Sequence, residues 1–422
     1  MRKISKISLV AAVAVAGFST ANAQPLEEAI KNVDVSGSVV YRYDNSDDSL
    51  SSGANGVAPA GDRTDRNRYK IGLNLSSKVN DYVKFNSRFL VGGGDSNYSW
   101  ATTHATTNTN SGDGSAAVSL SQAYFGFTAI PNTVVNVGKQ GLTTPYTVAV
   151  DINGNEQAGT GILALSTFGP ITAGAGYFNN QNLNVTANEV NSSLRISGGT
   201  TLGLDGGSDL YVATVQGDLD FVKLEAWYAG LQDSLNSYTF AATSNIDLAE
   251  NAKLGLEARY VYLKLDSDLV GNVVERDNSM MRFAVDGKFS IVNARLAYTK
   301  TDKDGGLTAF DQDAKNTSLG WNITSNGVAD ADYFQAALGV DILDNLNFTA
   351  HYGNLSSDLQ TGRAILLFDD VKQQEVYGQL TYKMSKNLTT YLRYGQYEEK
   401  TKSTGTKNVD QDMGRLQVAY TF

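Results

Sequence analysis

The sequence predicts an all-β fold: a transmembrane antiparallel β-barrel of 18 strands with short turns at one end and long loops at the other. Three observations predict it. Segments in which apolar and polar residues alternate recur along the chain, and a period of two marks a strand with one oily and one polar face. Short turn-forming connections alternate with long polar ones, which is how a membrane barrel reads. No segment beyond the N-terminal region holds about 18 consecutive apolar residues, so no helix is expected to span. Lipid offers the backbone no hydrogen bonds, and a closed barrel is the remaining way to satisfy it.

In chain order, the first element is not part of the barrel. Arg2, Lys3 and Lys6 precede an apolar run from Leu9 to Phe18, and Ala21-Asn22-Ala23 supplies a small-x-small cleavage site. Residues 1–23 therefore read as a secretory signal, because an apolar run of about ten is too short to cross a bilayer. Residues 24–422 read as one barrel domain.

The strands follow. Residues 33–44 put Val35, Val39, Tyr41 and Tyr43 on one face, and residues 67–78 do the same with Tyr69, Ile71, Leu73 and Leu75. Residues 82–92 align Val83, Phe85, Phe89 and Val91. Further on come Leu254, Leu256, Ala258, Tyr260 and Tyr262, then Met281, Phe283, Val285 and Phe289. At the end, Leu416, Val418, Tyr420 and Phe422 alternate with Arg415, Gln417, Ala419 and Thr421. Each segment approaches the roughly 9–11 residues that a tilted strand needs to span.

Eight short turns are expected at 79–81, 131–132, 169–170, 217–220, 249–251, 290–291, 344–345 and 385–387. Most carry Asn, Asp or Gly, which tolerate turn dihedrals. Nine longer connections are expected at 45–66, 93–117, 140–160, 179–208, 232–236, 266–278, 301–331, 355–372 and 399–411. Seventeen connections join 18 strands, and an even count puts both ends on the short-turn side. Leu319–Ile323 also alternates. It is assigned to an outer loop, since a nineteenth strand would flip the 344–345 turn to the outside.

Composition agrees. The chain has 41 glycines, 22 tyrosines and five prolines, as suits strands with aromatic belts. There is no cysteine, hence no disulfide and no thiolate ligand. Without Arg2, Lys3 and Lys6, 31 basic residues face 44 acidic ones, a formal charge of −13. That argues against nucleic acid as a partner and for a lumen that concentrates cations.

Three passages carry a family likeness. Residues 24–37, QPLEEAIKNVDVSG, with Tyr41-Arg42-Tyr43 after them, closely resemble the start of the campylobacterial major outer membrane protein porins. Gln122-Ala123-Tyr124-Phe125-Gly126-Phe127 and Val137-Gly138-Lys139-Gln140 are similar to the strand pair before the constriction loop of Gram-negative porins, many of which have arginine where this chain has Lys139. The closing alternation that ends on Phe422 resembles the C-terminal signature of bacterial outer-membrane barrels. The resemblance implies a general porin of the outer membrane, trimeric, with its third loop folded into the lumen.

Strand parity names the lumen residues. With the oily faces toward lipid, Arg42, Lys70, Lys84, Arg88, Arg393 and Arg415 point inward. Arg393, Arg415, Arg42, Lys70 and Arg88 lie on five consecutive staves once the last strand closes on the first, and are expected to form a basic wall. The third long loop carries Asp151 and Glu156, which, folded inward, would face that wall across the passage and set up a transverse field. The plainer reading is that these charges solvate a wet lumen. Asp151, Asn153 and Asn155 have the 1-3-5 oxygen spacing of a calcium loop, but the glycine comes early and Ile162 stands where a glutamate belongs. A weak divalent site is the expectation there.

Catalysis is not expected. The chain has two histidines, His104 in a polar loop and His351 of lumen parity, and neither has a partner in the sequence pattern. The function expected is passive diffusion of ions and small hydrophilic solutes, weakly cation-preferring and without a cofactor. The alternatives are a channel specific for a sugar or organic acid, with Trp227, Tyr377 and Tyr391 as inward aromatics, and a structural or adhesive surface barrel. The small outward residues Ala164, Ala173 and Ala175 are candidates for close contact between protomers.

Overall fold

The computed structural model describes residues 33–50, 64–93, 98–105, 116–151, 155–186, 195–196, 200–201, 203–270, 275–360 and 370–422. The expected signal, residues 1–23, lies outside them. The barrel strands are β1 (Val33–Asp48), β2 (Thr64–Asn80), β3 (Val83–Gly92), β4 (Ala117–Phe127), β5 (Thr133–Gly141) and β6 (Ala158–Phe168). They continue with β7 (Ile171–Gln181), β8 (Leu210–Asp218), β9 (Lys223–Leu231), β10 (Leu235–Ala249), β11 (Ala252–Leu265) and β12 (Asp277–Phe289). The last six are β13 (Val292–Thr301), β14 (Asp332–Leu343), β15 (Leu346–Ser356), β16 (Val371–Lys383), β17 (Leu388–Thr401) and β18 (Lys407–Thr421). Further along the chain the β3 stave resumes as Ala101–Ala105 on the same partner, β2.

Each strand pairs antiparallel with its neighbour in sequence, and β1 pairs with β18, so the sheet has no open edge. At the seam, Gly37 and Phe422 exchange backbone hydrogen bonds of 2.9 and 3.1 Å. A β-carbon on Gly37 would stand 2.3 Å from the carbonyl oxygen of Gly72 and 2.7 Å from the Phe422 ring, so only glycine fits there. The eight expected turns all join the expected strands. Asn132, Gly169, Asp220 and Ser290 occupy the left-handed region at four of them.

The outward faces are those read from the alternation. Val39 and Tyr41 of β1 are exposed while Val40 and Arg42 are buried, and Phe283, Val285, Leu392 and Tyr394 also face out. A continuous band of exposed aliphatic and aromatic side chains suits lipid and not water.

The loop-side half of β8 to β12 departs from the rule of oily outside and polar inside. Leu210, Leu231, Leu235, Val261, Leu263, Leu265 and Met280 are buried, while their strand neighbours Tyr211, Tyr238 and Tyr260 face out. The inner set packs against Leu142 and Tyr146 of the third long loop, Leu183 and Leu204 of the fourth, and Leu307 and Phe310 of the seventh. Loops drawn into a lumen must bury their apolar residues against something, and this wall is apolar on both faces to receive them.

Long loops therefore fill the barrel, chiefly the third and the seventh. The third runs through the lumen between β5 and β6, as the resemblance implied. The seventh, residues 302–331, joins it: Phe310 N–H donates to Tyr146 O at 2.8 Å, and Asn316 N–H to Pro145 O at 2.9 Å. Leu319–Ile323 belongs to this long connection and is not a nineteenth strand, as expected, but the connection is folded inward. The segment is a tight loop closed by a Leu319–Thr324 bridge. Its Ile323 is buried in a cluster with Tyr333, Leu355, Tyr397 and Met413, and Trp321 packs against that cluster. Its alternation reflects packing against the inner wall, and the count of 18 staves stands.

Candidate pore constriction

The five basic residues expected on one wall do lie on five adjoining staves, β17, β18, β1, β2 and β3, with Arg393 directly opposite Arg415 in the register. They are not equally wet. Arg42 is 1% exposed. Its Nε and Nη2 donate to Gln417 Oε1 at 2.8 and 2.5 Å, and its guanidinium stacks 4.7 Å from the Trp100 ring centre. Trp100, from the second long loop, roofs it over. Asp44 bridges the next two cations, 2.5 Å from both Arg68 and Arg415. Arg68 was missed in the sequence, although it has the same parity as Lys70.

Lys70 and Arg88 are 4% and 5% exposed, and the third loop reaches them. Glu156, 1% exposed, accepts from Arg88 at 2.9 and 2.8 Å as a two-pronged pair and lies 3.1 Å from Lys70 Nζ. Lys70 also donates to the Asp151 carbonyl at 3.0 Å. The acid sits on the basic wall instead of facing it across a gap. A fork-to-carboxylate geometry of this kind ties the loop down firmly.

Arg393 and Arg415 hold the seventh loop. The Arg393 guanidinium lies 5.0 Å from the Trp321 ring, 4.9 Å from Tyr377 and 5.4 Å from Tyr391, and Arg415 lies 5.5 Å from Trp321. Tyr377 and Tyr391, both expected to face inward, thus meet around one cation. Beside them Glu375, 1% exposed, accepts the backbone N–H groups of Trp321 and Asn322, both at 2.8 Å. A β-carbon on Gly320 would come 1.7 Å from Glu375 Oε1, so the loop needs glycine to approach the carboxylate.

A second basic cluster was overlooked in the sequence. On β11 to β13, about opposite the first wall, Glu257 lies 3.2 Å from Arg259, 2.6 Å from Arg282 and 3.8 Å from Arg295. Arg282 also donates to Thr317 O at 2.5 Å and Lys315 O at 2.9 Å, which pins the seventh loop from that side. The signal was present: Arg282 lies between outward Met281 and Phe283, and Arg259 between Ala258 and Tyr260.

The acids gather between the two loops. Carboxylate oxygens of Asp151, Asp311 and Asp313 all lie within 4.8 Å of one another, and the first two residues are buried. The expected 1-3-5 set is not what assembles here. Asn153 lies outside the described residues, and Asn155 donates its amide to Thr186 O at 3.1 Å. Three carboxylates are the donor set that a hard divalent cation takes. Nearby Tyr146 is locked in the packed interior of the third loop and accepts from the Thr239 hydroxyl at 2.9 Å. Burial pushes its phenol up to about 12, against a smaller opposing effect of that hydrogen bond.

Comparison with known proteins agrees with this geometry. The crystal structure of OpdL from Pseudomonas aeruginosa superposes with a TM-score of 0.67 at 16% identity, covering 93% of this chain and 99% of that one. OccK3 (OpdO) from the same organism gives 0.66 at 16%, covering 94% and 97%. OpdK of Pseudomonas aeruginosa, solved with vanillate, gives 0.65 at 17%, covering 92% and 98%. At such identities the likeness shows the fold. No curated protein matches. The model of the Campylobacter major outer membrane protein family matches residues 1–422. With that match over its whole length and a closed 18-stranded barrel narrowed by inward loops, the chain belongs to the Campylobacter major outer membrane protein family and is a porin-type channel of the bacterial outer membrane.

Proposed function

We propose that the channel passes ions and small hydrophilic solutes by passive diffusion, with a modest preference for cations, and that it works as a homotrimer. The observation that carries the cation preference is the acidic balance, a formal charge of −13 without residues 1–23. Lys70 and Arg88 are compensated by Glu156, and three further carboxylates, Asp151, Asp311 and Asp313, converge where the two inward loops meet.

A bound divalent cation belongs to this reading, with Asp151, Asp311 and Asp313 as its ligands. It would brace the junction of the two loops. Catalysis does not belong to it: the ring contact of His351 is a stack on Tyr377 at 4.4 Å. For the trimer, the support is the small outward residues Ala164, Ala173 and Ala175, of which Ala164 and Ala175 are direct partners across β6 and β7.

The test is planar-bilayer conductance with a KCl gradient. Steps grouped in threes and a reversal potential toward potassium are expected. Asp311→Asn should reduce that preference and blunt any response to added calcium. A reversal potential toward chloride in the wild type would refute the cation preference, and an equal calcium response in both proteins would refute the metal.

A further inference from the structure

The outer surface is not evenly studded. A groove of about 580 Å³ crosses it from β7 to β12. The register explains its shape. Gly217, Leu224, Ala242, Ala258 and Phe283 are successive partners across β8 to β12, all of outward parity. Ala242 and Ala258 end at the β-carbon. Phe240 and Tyr260, paired in the next outward row, stand exposed beside them, and Phe283 closes the far end. The result is a trough with an alanine floor and aromatic walls. Glu225 and Arg259 also border it, but their charges are spent on the lumen side, against Lys315 and Glu257.

The groove has a direction. Gly217 is next to the last residue of β8, at a short turn, whereas Phe283 is midway along β12. The trough thus climbs from the short-turn edge toward the middle of the wall. Four strand spacings of about 4.8 Å give it roughly 19 Å, enough to cross one leaflet of a hydrocarbon core about 30 Å thick.

What covers it follows from the two ends of the same strands. On the loop side Tyr211, Tyr228 and Tyr262 turn outward and donate to Asp209, Asn236 and Asp277. On the short-turn side Phe221 and Phe289 are exposed. Aromatic rings at both levels mark a face that meets both membrane–water interfaces, so lipid and not a second protomer lies between them. The groove is continuous with that lipid-facing band. On an even sheet face an acyl chain slides freely, whereas a trough one chain wide adds dispersion contacts from its walls.

We propose that this groove holds one acyl chain of a phospholipid from the leaflet on the short-turn side, which in such barrels is the periplasmic one, as a resident lipid of the protein. The glycerophosphate end would lie at the 217–220 turn. The proposal rests on the barrel's place in the outer membrane and not on how its lumen conducts.

For the test, the full-length protein is reconstituted in vesicles of palmitoyl-oleoyl phosphatidylethanolamine, extracted in mild detergent and weighed intact by native mass spectrometry. Wild type should retain one phospholipid per chain. Ala258→Leu fills the floor, Ala242→Leu does so one strand away, and Ala294→Leu adds the same bulk at an exposed position of β13 outside the groove. The two groove variants should lose the retained lipid, and Ala294→Leu should keep it. If one groove variant fails to insert, the other decides. Wild type without a retained lipid, groove variants that keep it, or an equal loss in Ala294→Leu would overturn the proposal. Groove variants that fall apart into protomers while wild type stays oligomeric would assign the groove to a second copy, and would overturn it as well.

Discussion

Glu156 shows how much one side chain carries. It is the carboxylate for both Lys70 and Arg88, and all three are buried. Removing one member of a buried ion pair leaves its partners uncompensated, at roughly 3–5 kcal/mol. Glu156→Gln is therefore expected to lower the unfolding temperature in detergent and to shift the reversal potential toward chloride, and an unchanged melting curve would refute this. Tyr146 gives a prediction in pH. Its phenol is raised to about 12 in the folded protein, so burial favours the protonated form. That contribution is complete below the ordinary phenol value of about 10 and is lost as pH rises from there to about 12. Between those limits wild type should lose thermal stability more steeply than Tyr146→Phe. Parallel curves would show that Tyr146 is not the group responsible. At this scale the sequence was legible wherever parity applied, as for Lys70 and Arg88. Parity gave direction but not depth: nothing local to Arg42 tells that Trp100, from another loop, closes over it.

Among the elements, the seventh loop was the least legible and is the most tightly held. Its strands of origin, β13 and β14, followed from the turns expected at 290–291 and 344–345. Apart from the short alternation at Leu319–Ile323 the loop has no period to read, because its order comes from contacts remote in sequence: Glu375 with the Trp321 and Asn322 amides, Arg282 with the Thr317 and Lys315 carbonyls. The apolar inner faces of β8 to β12 are the other half of that account. Val261, Leu263 and Leu265 are apolar where the alternation calls for polar lumen residues, and only the loops lying against them explain why. Hydrogen bonds to a charged acceptor contribute about 1.5–3 kcal/mol each. Glu375→Gln keeps the shape and removes the charge, so the open channel of that variant should flicker between conductance levels while wild type stays steady. Identical current noise in the two proteins would show that the carboxylate does not restrain the loop.

For the whole molecule, the count of 18 staves followed from simple arithmetic on turns and loops, and the structure returns it. What the sequence did not show is that the barrel is filled from two sides, with a carboxylate embedded in each basic cluster. The field in the lumen is thus a set of local compensated patches over an acidic background. Such a background is screened by salt, with a Debye length of about 10 Å at 0.1 M and about 3 Å at 1 M. The proposed cation preference should therefore be larger in 0.1 M than in 1 M KCl. A reversal potential, corrected for activity, that is independent of salt would place selectivity in direct contacts instead.

The seam between β1 and β18 has a consequence in time. Arg42 and Gln417 touch, yet 375 positions separate them along the chain. Each strand from β2 to β17 finds both of its neighbours next to it in sequence, whereas β1 must wait for the last stave to arrive. Until then the growing sheet has two bare edges, each able to pair with a stranger. A chain interrupted before its last strand is left with that hazard for good, so the cell's proteases and chaperones have a plain criterion of completion: whether the ring has closed.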